Sequence, residues 1–283
     1  MILDKETNTV YFSEKLRSDK RFKDTCNTLT KLLEKHTIKY DFLKATKDIW
    51  CRDYMPIQVG KEKIVQFRYE PSYLENDIKL QSDPNIVCKA NKLEPEFSNI
   101  NLDGGNVVNW NNKAIISDRV FDENPEYSDK TELINKLESL LNVEIIIIPQ
   151  INTDMTGHAD GMVRFVDKNT ILGNDRNQEY KYWKEGINKV LKKHNLEYID
   201  IPFFENKEIN KKYPNNSIGC YVNYLEVGNL IVLPIFEVEG NKDKEVIEKF
   251  KTIFQDRIIE TINYNEIGLW GGLLNCTTWT IKE

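Results

Sequence analysis

Short polar motifs recur along this chain at a nearly even spacing. Asp53, Asp103, His158, Gly219 and Cys276 mark five of them, and successive markers are 50, 55, 61 and 57 residues apart. Repetition at such a period predicts a repeat architecture, in which similar supersecondary units pack against one another. If each unit ends in its motif, the five polar tips meet around one centre. The chain is therefore predicted to be a single α/β domain of about five units, covering residues 1–283.

The motifs contain a thiol, an imidazole and several carboxylates. In chain order they are Trp50-Cys51-Arg52-Asp53, Leu102-Asp103-Gly104-Gly105-Asn106, Gly157-His158-Ala159-Asp160, Gly219-Cys220-Tyr221-Val222-Asn223 and Gly271-Gly272-Leu273-Leu274-Asn275-Cys276. These groups are typical of an enzyme that uses a cysteine nucleophile and acts on a cationic substrate.

Helical and strand patterns support the repeat. Four helices are predicted, one capped by Ser18, one capped by Ser128, one near Tyr180–Lys193 and one after Asn241. Strand-like runs follow them at Tyr40–Leu43, Glu144–Ile148, Tyr198–Ile201 and Arg257–Ile262. Further strands are predicted after the motifs, at Ile57–Phe67, Asn106–Trp110, Ala114–Ser117, Met162–Val166, Thr170–Leu172, Tyr221–Val227 and Leu230–Pro234. Only the unit leading to Asp103 has a weak helical pattern, near Tyr73–Leu80.

The composition of the chain argues against nucleic-acid binding, a membrane span and a metal site. The chain has 39 Lys and Arg against 45 Asp and Glu, for a net charge of −6 and no basic stripe, so no nucleic-acid partner is expected. The longest apolar runs, Ile145–Ile148 and Leu230–Phe236, are far too short to span a membrane. The N-terminus lacks a signal-peptide pattern. Five scattered cysteines without a Cys-x-x-Cys pair predict no metal site, no disulfide framework and a cytoplasmic protein.

Two motifs carry the reactive groups. Cys276 follows Gly271-Gly272, and glycines allow a close approach of the backbone to a ligand, although a free cysteine is more often an inert buried residue. His158 and Asp160 are two residues apart, so on a strand both would point to one face. His36 and His194 lie near the ends of charged helices and are interpreted as exposed residues there.

The remaining motifs supply polar groups around the thiol. Asp53 and Arg52 would face opposite ways. Asp103 precedes two glycines and therefore also fits an Asx turn. Asn223 lies in an apolar run, where its amide needs hydrogen-bond partners. Carboxylates near a thiol raise its pKa unless a cation binds between them. A guanidinium matches paired carboxylates in shape and charge. We therefore expect the substrate cation to help to activate the nucleophile.

Taken together, the motifs resemble the guanidine-modifying (pentein) superfamily, and most closely its agmatine deiminase and bacterial-type peptidylarginine deiminase branch. The resemblance extends from about Lys47 to the C-terminus. It implies a five-bladed α/β propeller of ββαβ units around a central pocket. Two positions depart from the branch. Asp103 replaces the usual Glu before Gly-Gly, and Asn275 replaces the usual His before the cysteine.

The resemblance also implies roles for individual residues. Cys276 is the expected nucleophile, His158 the general acid and base, and Asp53 and Asp160 the guanidinium ligands. The other expected pocket residues are Trp50, Asp103, Asn223 and Gly272. No metal or organic cofactor is expected, and a homodimer is compatible with the resemblance. The predicted reaction is deimination of an agmatine-like or arginine-derived guanidinium. The alternatives are a peptidylarginine deiminase, an amidinotransferase and a non-catalytic binding protein.

Overall fold

The computed structural model describes residues 1–283, in which fifteen strands form five separate three-stranded sheets. In every sheet one pair of neighbouring strands is antiparallel and the other pair is parallel. A helix connects each parallel pair, as such a crossover requires. Each unit is thus a ββαβ module, and the predicted architecture of about five α/β units is confirmed.

The five sheets contain the following strands. The first module has Trp279–Ile281, Thr9–Ser13 and Lys39–Leu43; the second has Ile57–Gln58, Ile64–Arg68 and Glu96–Asn101; the third has Val108–Trp110, Lys113–Ser117 and Glu144–Ile148; the fourth has Val163–Phe165, Thr170–Asn174 and Glu197–Ile201; and the fifth has Leu225–Val227, Leu230–Ile235 and Ile258–Asn263. The first module takes strands from both ends of the chain, since Tyr11 pairs with Trp279. This pairing joins the two ends of the chain.

The helices occupy the connections and the motif turns. Their bounds are Glu14–Ser18, Lys23–Lys35, Cys51–Tyr54, Pro84–Ala90, Arg119–Asp122, Lys130–Leu141, Lys181–His194, Lys207–Lys212, Asp243–Ile253 and Asn265–Gly268. Short 3-10 turns cover Asp4–Glu6, Ser72–Leu74, Ile78–Leu80, Gly104–Asn106 and Ala159–Gly161. No helix is long and apolar enough to cross a bilayer.

Two predicted helix starts were wrong. Ser18 ends a short helix that Ser13 caps, and the main helix begins at Lys23. The second cap is Asp129, whose carboxylate accepts the backbone N–H of Thr131, and Ser128 lies just outside. The helix from Lys23 has Phe22 at its N-cap and no side-chain cap, so no capping signal marks its start. At the second helix Ser128 and Asp129 are both able to cap, and the sequence pattern did not distinguish between these neighbours.

The second module contains a helix and a strand that the sequence pattern did not reveal. Pro84–Ala90 is a helix of seven residues, with Asp83 as its cap and a proline in its first turn. Its strand, Glu96–Asn101, lies at the outer side of its sheet, and four of its six residues are not buried. The predicted helix at Tyr73–Leu80 is wrong, because that segment forms two 3-10 turns.

The modules place their polar motifs alike. Each motif directly precedes the first strand of its antiparallel pair: Asp53 before Ile57–Gln58, Asp103 before Val108–Trp110, Asp160 before Val163–Phe165, Asn223 before Leu225–Val227, and Cys276 before Trp279–Ile281. Apolar packing fixes these strands. Leu225 and Leu230, for example, are fully buried, and burial of a leucine is worth about 1.5–3 kcal/mol. The sheets are therefore a rigid frame from which the turns project.

Candidate active site

A cavity of about 620 Å³ gathers seven of the eight predicted site residues. They are Trp50, Asp53, His158, Asp160, Asn223, Gly272 and Cys276. The eighth, Asp103, does not line this cavity and contacts it through His158. Residues from four of the five polar motifs thus line one space, and the fifth motif reaches it only through the contact of Asp103 with His158.

Cys276 is held by Asn223. The Asn223 side chain donates from Nδ2 to the Cys276 Sγ at 3.2 Å, and its Oδ1 accepts the backbone N–H groups of Asn275 and Cys276 at 3.0 and 3.3 Å. The prediction that Asn223 lies in a strand was wrong, since the strand begins at Leu225. The amide that needed partners finds them in the turn that presents the thiol.

Asp160 lies on the other side of the thiol. Its Oδ2 is 3.8 Å from the Cys276 Sγ and accepts the Asn275 side-chain amide at 2.7 Å. His158 and Asp160 do reach the same cavity, but not along a strand. They belong to a 3-10 turn at Ala159–Gly161, and the strand starts only at Val163. The i, i+2 argument therefore predicted a shared face for the wrong reason.

His158 is buried between two further carboxylates. Its Nε2 lies 2.9 Å from Asp103 Oδ2, and its Nδ1 lies 3.5 Å from Asp53 Oδ1. Asp103 therefore contacts the imidazole although it is shorter than the usual glutamate. The hydroxyl of Tyr73 donates to the same Asp103 oxygen at 2.6 Å. Asp53 belongs to the short helix Cys51–Tyr54.

This geometry can be compared with known proteins. The sequence profile of the Porphyromonas-type peptidyl-arginine deiminase family matches residues 2–281. The chain belongs to this family. The match confirms the predicted branch and the predicted class of guanidine-deiminating enzyme. Among curated proteins, no sequence matches the chain significantly.

Solved structures share the fold of this deiminase-family chain at low sequence identity. A cysteine-to-serine variant of agmatine deiminase from C. jejuni with substrate bound is 18% identical, with a TM-score of 0.78, over 100% of this chain and 96% of that chain. Agmatine deiminase of Enterococcus faecalis is 15% identical, with a TM-score of 0.75, over 98% and 93%. DDAH from Pseudomonas aeruginosa is 10% identical, with a TM-score of 0.60, over 97% and 99%. The predicted pentein fold is thereby confirmed, and the five three-stranded sheets agree with its five ββαβ units.

Burial and nearby charges shift the pKa values of the histidine and the cysteine in this deiminase site. Burial lowers the pKa of His158, but the charges of Asp53, Asp103 and Asp160 outweigh it and raise the pKa to about 10. Burial raises the pKa of the Cys276 thiol well above its usual range, and Asp160 and Asp53 raise it further. In the free protein at neutral pH, His158 is therefore an imidazolium and Cys276 a thiol.

The pKa of Asp53 is also raised well above its ordinary value. Burial is the main cause, and the charges of Asp103 and Asp160 add to it against the opposing effect of the imidazolium. The carboxylates around the thiol thus outnumber the positive charges beside them. A bound cation between Asp53 and Asp160 would relieve both the repulsion and the desolvation.

Two glycines permit the close packing of the site. The backbone N–H of Gly105 donates to Asp53 Oδ1 at 3.1 Å, and a Cβ on Gly105 would lie 2.5 Å from that oxygen and 2.8 Å from His158 Nδ1. A Cβ on Gly272 would lie 2.5 Å from the Trp50 ring and 3.1 Å from the Cys276 Cβ. Neither position tolerates a side chain without displacing a site residue.

Three residues of the site were not predicted to act in it. Asn275 was identified only as a departure from the family pattern, and Tyr73 was placed in a helix that does not exist. Asp48 lines the cavity, accepts the backbone N–H of Trp50 at 2.8 Å and has its pKa raised to about 7, chiefly by burial. An aspartate whose side chain accepts the backbone N–H two residues later is a known turn signal. The sequence could therefore have indicated that Asp48 caps the turn at Trp50. No group of three or more His, Cys, Asp or Glu side chains is arranged to hold a metal ion.

His36 and His194 lie away from this cavity. Each is half-buried and not exposed as predicted, because each contacts a glutamate, Glu260 at 2.7 Å and Glu144 at 3.1 Å.

Proposed function

We propose that residues 1–283 form one catalytic unit that deiminates a small guanidinium compound to a ureido product and ammonia, with Cys276 as the nucleophile. One observation carries the proposal. The Cys276 thiol lies 3.8 Å from the Asp160 carboxylate, in the same cavity as Asp53 and His158. A thiol, two carboxylates for a planar cation and a protonated imidazole are the parts that this reaction requires.

The reaction begins with binding of the cation. Asp53 and Asp160 hold the guanidinium, whose charge lowers the pKa of Cys276, so that the thiol loses its proton to solvent and becomes the thiolate. The thiolate attacks the guanidinium carbon and forms a C–S bond. His158 then gives a proton to one nitrogen, which leaves as ammonia when its C–N bond breaks. The product of this half-reaction is a covalent thiouronium.

Hydrolysis completes the cycle. His158, now neutral, takes a proton from water, and the hydroxide adds to the same carbon. The C–S bond breaks with sulfur as the leaving thiolate, and the C=O bond of the ureido product forms as the added hydroxyl gives up its proton. That proton returns Cys276 to the thiol, and the product departs with the remaining nitrogens. Each proton that His158 donates is thus recovered in the second half, and no oxidant or reductant is consumed.

The charge of the cavity points to a substrate with a second positive charge. The lining contains six carboxylic side chains and neither lysine nor arginine; the six are Asp48, Asp53, Asp154, Asp160, Glu179 and Glu205. None of these six pairs with a lysine or an arginine elsewhere in the protein. A free α-carboxylate would face them without a partner, whereas an ammonium would be attracted. Agmatine carries an ammonium and no carboxylate, and the fold is shared with agmatine deiminases.

Agmatine is therefore expected to be a better substrate than free arginine. An unpaired carboxylate beside these acids costs about 1–3 kcal/mol, which predicts a kcat/KM for agmatine that is about 10–100-fold higher. Ammonia and ureido product should be measured for agmatine, arginine and an arginine peptide blocked at both termini. Arginine as the best substrate would contradict the charge argument, and a better peptide would favour the peptidylarginine alternative. A new guanidine on an added amine, without ammonia, would indicate an amidinotransferase.

The state of the thiol gives a second prediction. Because the pKa of Cys276 is raised in the free protein, the neutral reagent chloroacetamide, which has the same leaving group, should label it slowly. A cationic chloroacetamidine should label it about 10–1,000-fold faster, since an opposite charge within about 4–6 Å shifts a pKa by one to three units. Mass spectrometry should find a single label on Cys276, and agmatine should protect it. Equal rates with both reagents would contradict substrate-assisted activation.

A cytoplasmic location and a homodimer are two further predictions for this protein. All five cysteines are unpaired, which fits the proposed cytoplasmic location. A homodimer stays a prediction, to be tested by light scattering.

A further inference from the structure

Tyr73 touches the acid that holds the histidine. Its hydroxyl donates to Asp103 Oδ2 at 2.6 Å, and the same oxygen lies 2.9 Å from His158 Nε2. The Tyr73 and His158 rings are in edge-to-face contact, with centroids 6.0 Å apart. One carboxylate oxygen therefore takes hydrogen bonds from two side chains, one of them the proposed acid and base.

We propose that Tyr73 is a positioning residue of the deiminase, which fixes Asp103 and, through Asp103, the orientation and proton affinity of His158. The catalytic consequence rests on the proposed function, whereas the effect on the imidazole does not. Asp103 is one methylene shorter than the glutamate usual in this branch. A second donor on its oxygen compensates by restricting the rotation of the short carboxylate.

Two donors on one oxygen also determine where the imidazole carries its protons. The Tyr73 hydroxyl has only its own proton to give, and burial with the nearby Asp103 charge raises the pKa of Tyr73 well above its ordinary value. Tyr73 thus remains a donor, Asp103 remains an acceptor, and Nε2 keeps its proton. The exchangeable proton of His158 is then the one on Nδ1, which faces Asp53 at 3.5 Å.

The backbone next to Tyr73 is anchored to the neighbouring module. Ser72 donates from its backbone N–H and from its hydroxyl to the two carboxylate oxygens of Glu123, at 3.0 and 2.7 Å. Arg119 donates to the Ser72 hydroxyl and also pairs with Glu123, at 2.7 and 2.8 Å. The phenol is therefore presented to Asp103 in a defined place, as a supporting residue must be.

Replacement of the hydroxyl tests the proposal. Tyr73→Phe should lower kcat for agmatine about 10–100-fold and change KM less than about 3-fold, because orientation of the acid affects the transition state more than binding. Loss of the hydroxyl also leaves the Asp103 charge to His158 alone, so the pKa of His158 should rise. Only three histidines are present, so ¹⁵N-detected titration of the free protein can follow this shift without turnover.

A double-mutant cycle separates positioning from a direct role. If Tyr73 acts through Asp103, Tyr73→Phe should have little further effect on kcat or on the His158 titration in an Asp103→Asn protein. The matched control is Tyr40→Phe, because Tyr40 also donates its hydroxyl to a carboxylate, Glu34, at 2.6 Å, but on the protein surface. That variant should behave as the wild type. Thermal unfolding should confirm that all variants fold.

Several results would overturn the proposal. One is a Tyr73→Phe protein with unchanged kcat and an unchanged His158 titration. Another is a raised KM with unchanged kcat, which would make Tyr73 a substrate contact. A full additional loss in the Asp103→Asn background would show that Tyr73 does not act through Asp103. If the wild type itself deiminates nothing, the proposed function fails, while the His158 titration still decides the role of Tyr73.

Discussion

Cys276→Ala should lose ammonia release by ~10⁴-fold or more, while agmatine still binds. The size of the effect follows from the proposed covalent step, since removal of a nucleophile leaves only the residual catalysis of a binding site. Binding should survive because the cation ligands, Asp53 and Asp160, lie on other modules and do not depend on the thiol for their place. Asp160 keeps its hydrogen bond from Asn275 in the variant. Calorimetry with agmatine and a coupled ammonia assay measure the two properties separately.

Cys220→Ala is the matched control for this experiment. Cys220 is the other cysteine at the cavity, and its thiol donates to the backbone carbonyl of Gly161 at 3.4 Å. Burial raises its pKa to about 12, and its thiol contacts a backbone carbonyl and neither of the carboxylates proposed to hold the cation. The control protein should retain most of its activity. Substantial turnover by Cys276→Ala, or loss of turnover only in Cys220→Ala, would contradict the assignment of the nucleophile.

The sequence predicted the repeat better than it predicted the individual turns. Glu144–Ile148 is a strand with the predicted bounds. Its four consecutive isoleucines favour a strand, and they follow a helix with a clear apolar periodicity. The strand Glu96–Asn101 was missed since it is mostly exposed and so shows no apolar alternation. The helix Pro84–Ala90 is only two turns long, and a period of 3.6 is hard to detect over that length. Both omissions fall in the module that precedes Asp103.

The contents of the site were predictable because the reaction restricts the residue types. A thiol, an imidazole and paired acids in separate repeats left few alternatives, and the structure brings Cys276, His158, Asp53 and Asp160 to one cavity. Supporting residues were less accessible to this reasoning. Tyr73 lies outside the five motifs, and its partnership with Asp103 spans 30 residues of sequence. Only the fold determines which tyrosine contacts Asp103.

The two departures from the branch pattern now have a common explanation. Asp103 contacts His158 with the help of Tyr73, and Asn275 donates its amide to Asp160 at 2.7 Å. Each position supports one side of the site, the imidazole in one case and a cation ligand in the other. A neutral amide at Asn275 stabilises the Asp160 charge without adding a titrating imidazole beside the thiol. The departures therefore alter supporting residues and not the proposed reacting groups, Cys276 and His158.

His158→Ala should slow deimination of agmatine by ~10²–10⁴-fold, the usual worth of a positioned acid and base. Both half-reactions need the imidazole, the first to protonate ammonia and the second to activate water. Burst kinetics should therefore show slow formation and slow hydrolysis of the thiouronium, not the accumulation expected if only hydrolysis were impaired.

The pH dependence of kcat/KM tests whether His158 is the proton donor. The pKa of His158 is raised to about 10 in the free protein, so its acid form is present below that pH and is lost as the pH rises through it. With an alkylguanidine that lacks the agmatine ammonium, whose own pKa is about 10, the plot of kcat/KM against pH for the wild type should fall above about pH 10, and this limb should disappear in His158→Ala. His194→Ala is the control, since the half-buried His194 lies away from the cavity and pairs with Glu144. An unchanged limb in His158→Ala would assign the proton to another group and contradict the mechanism.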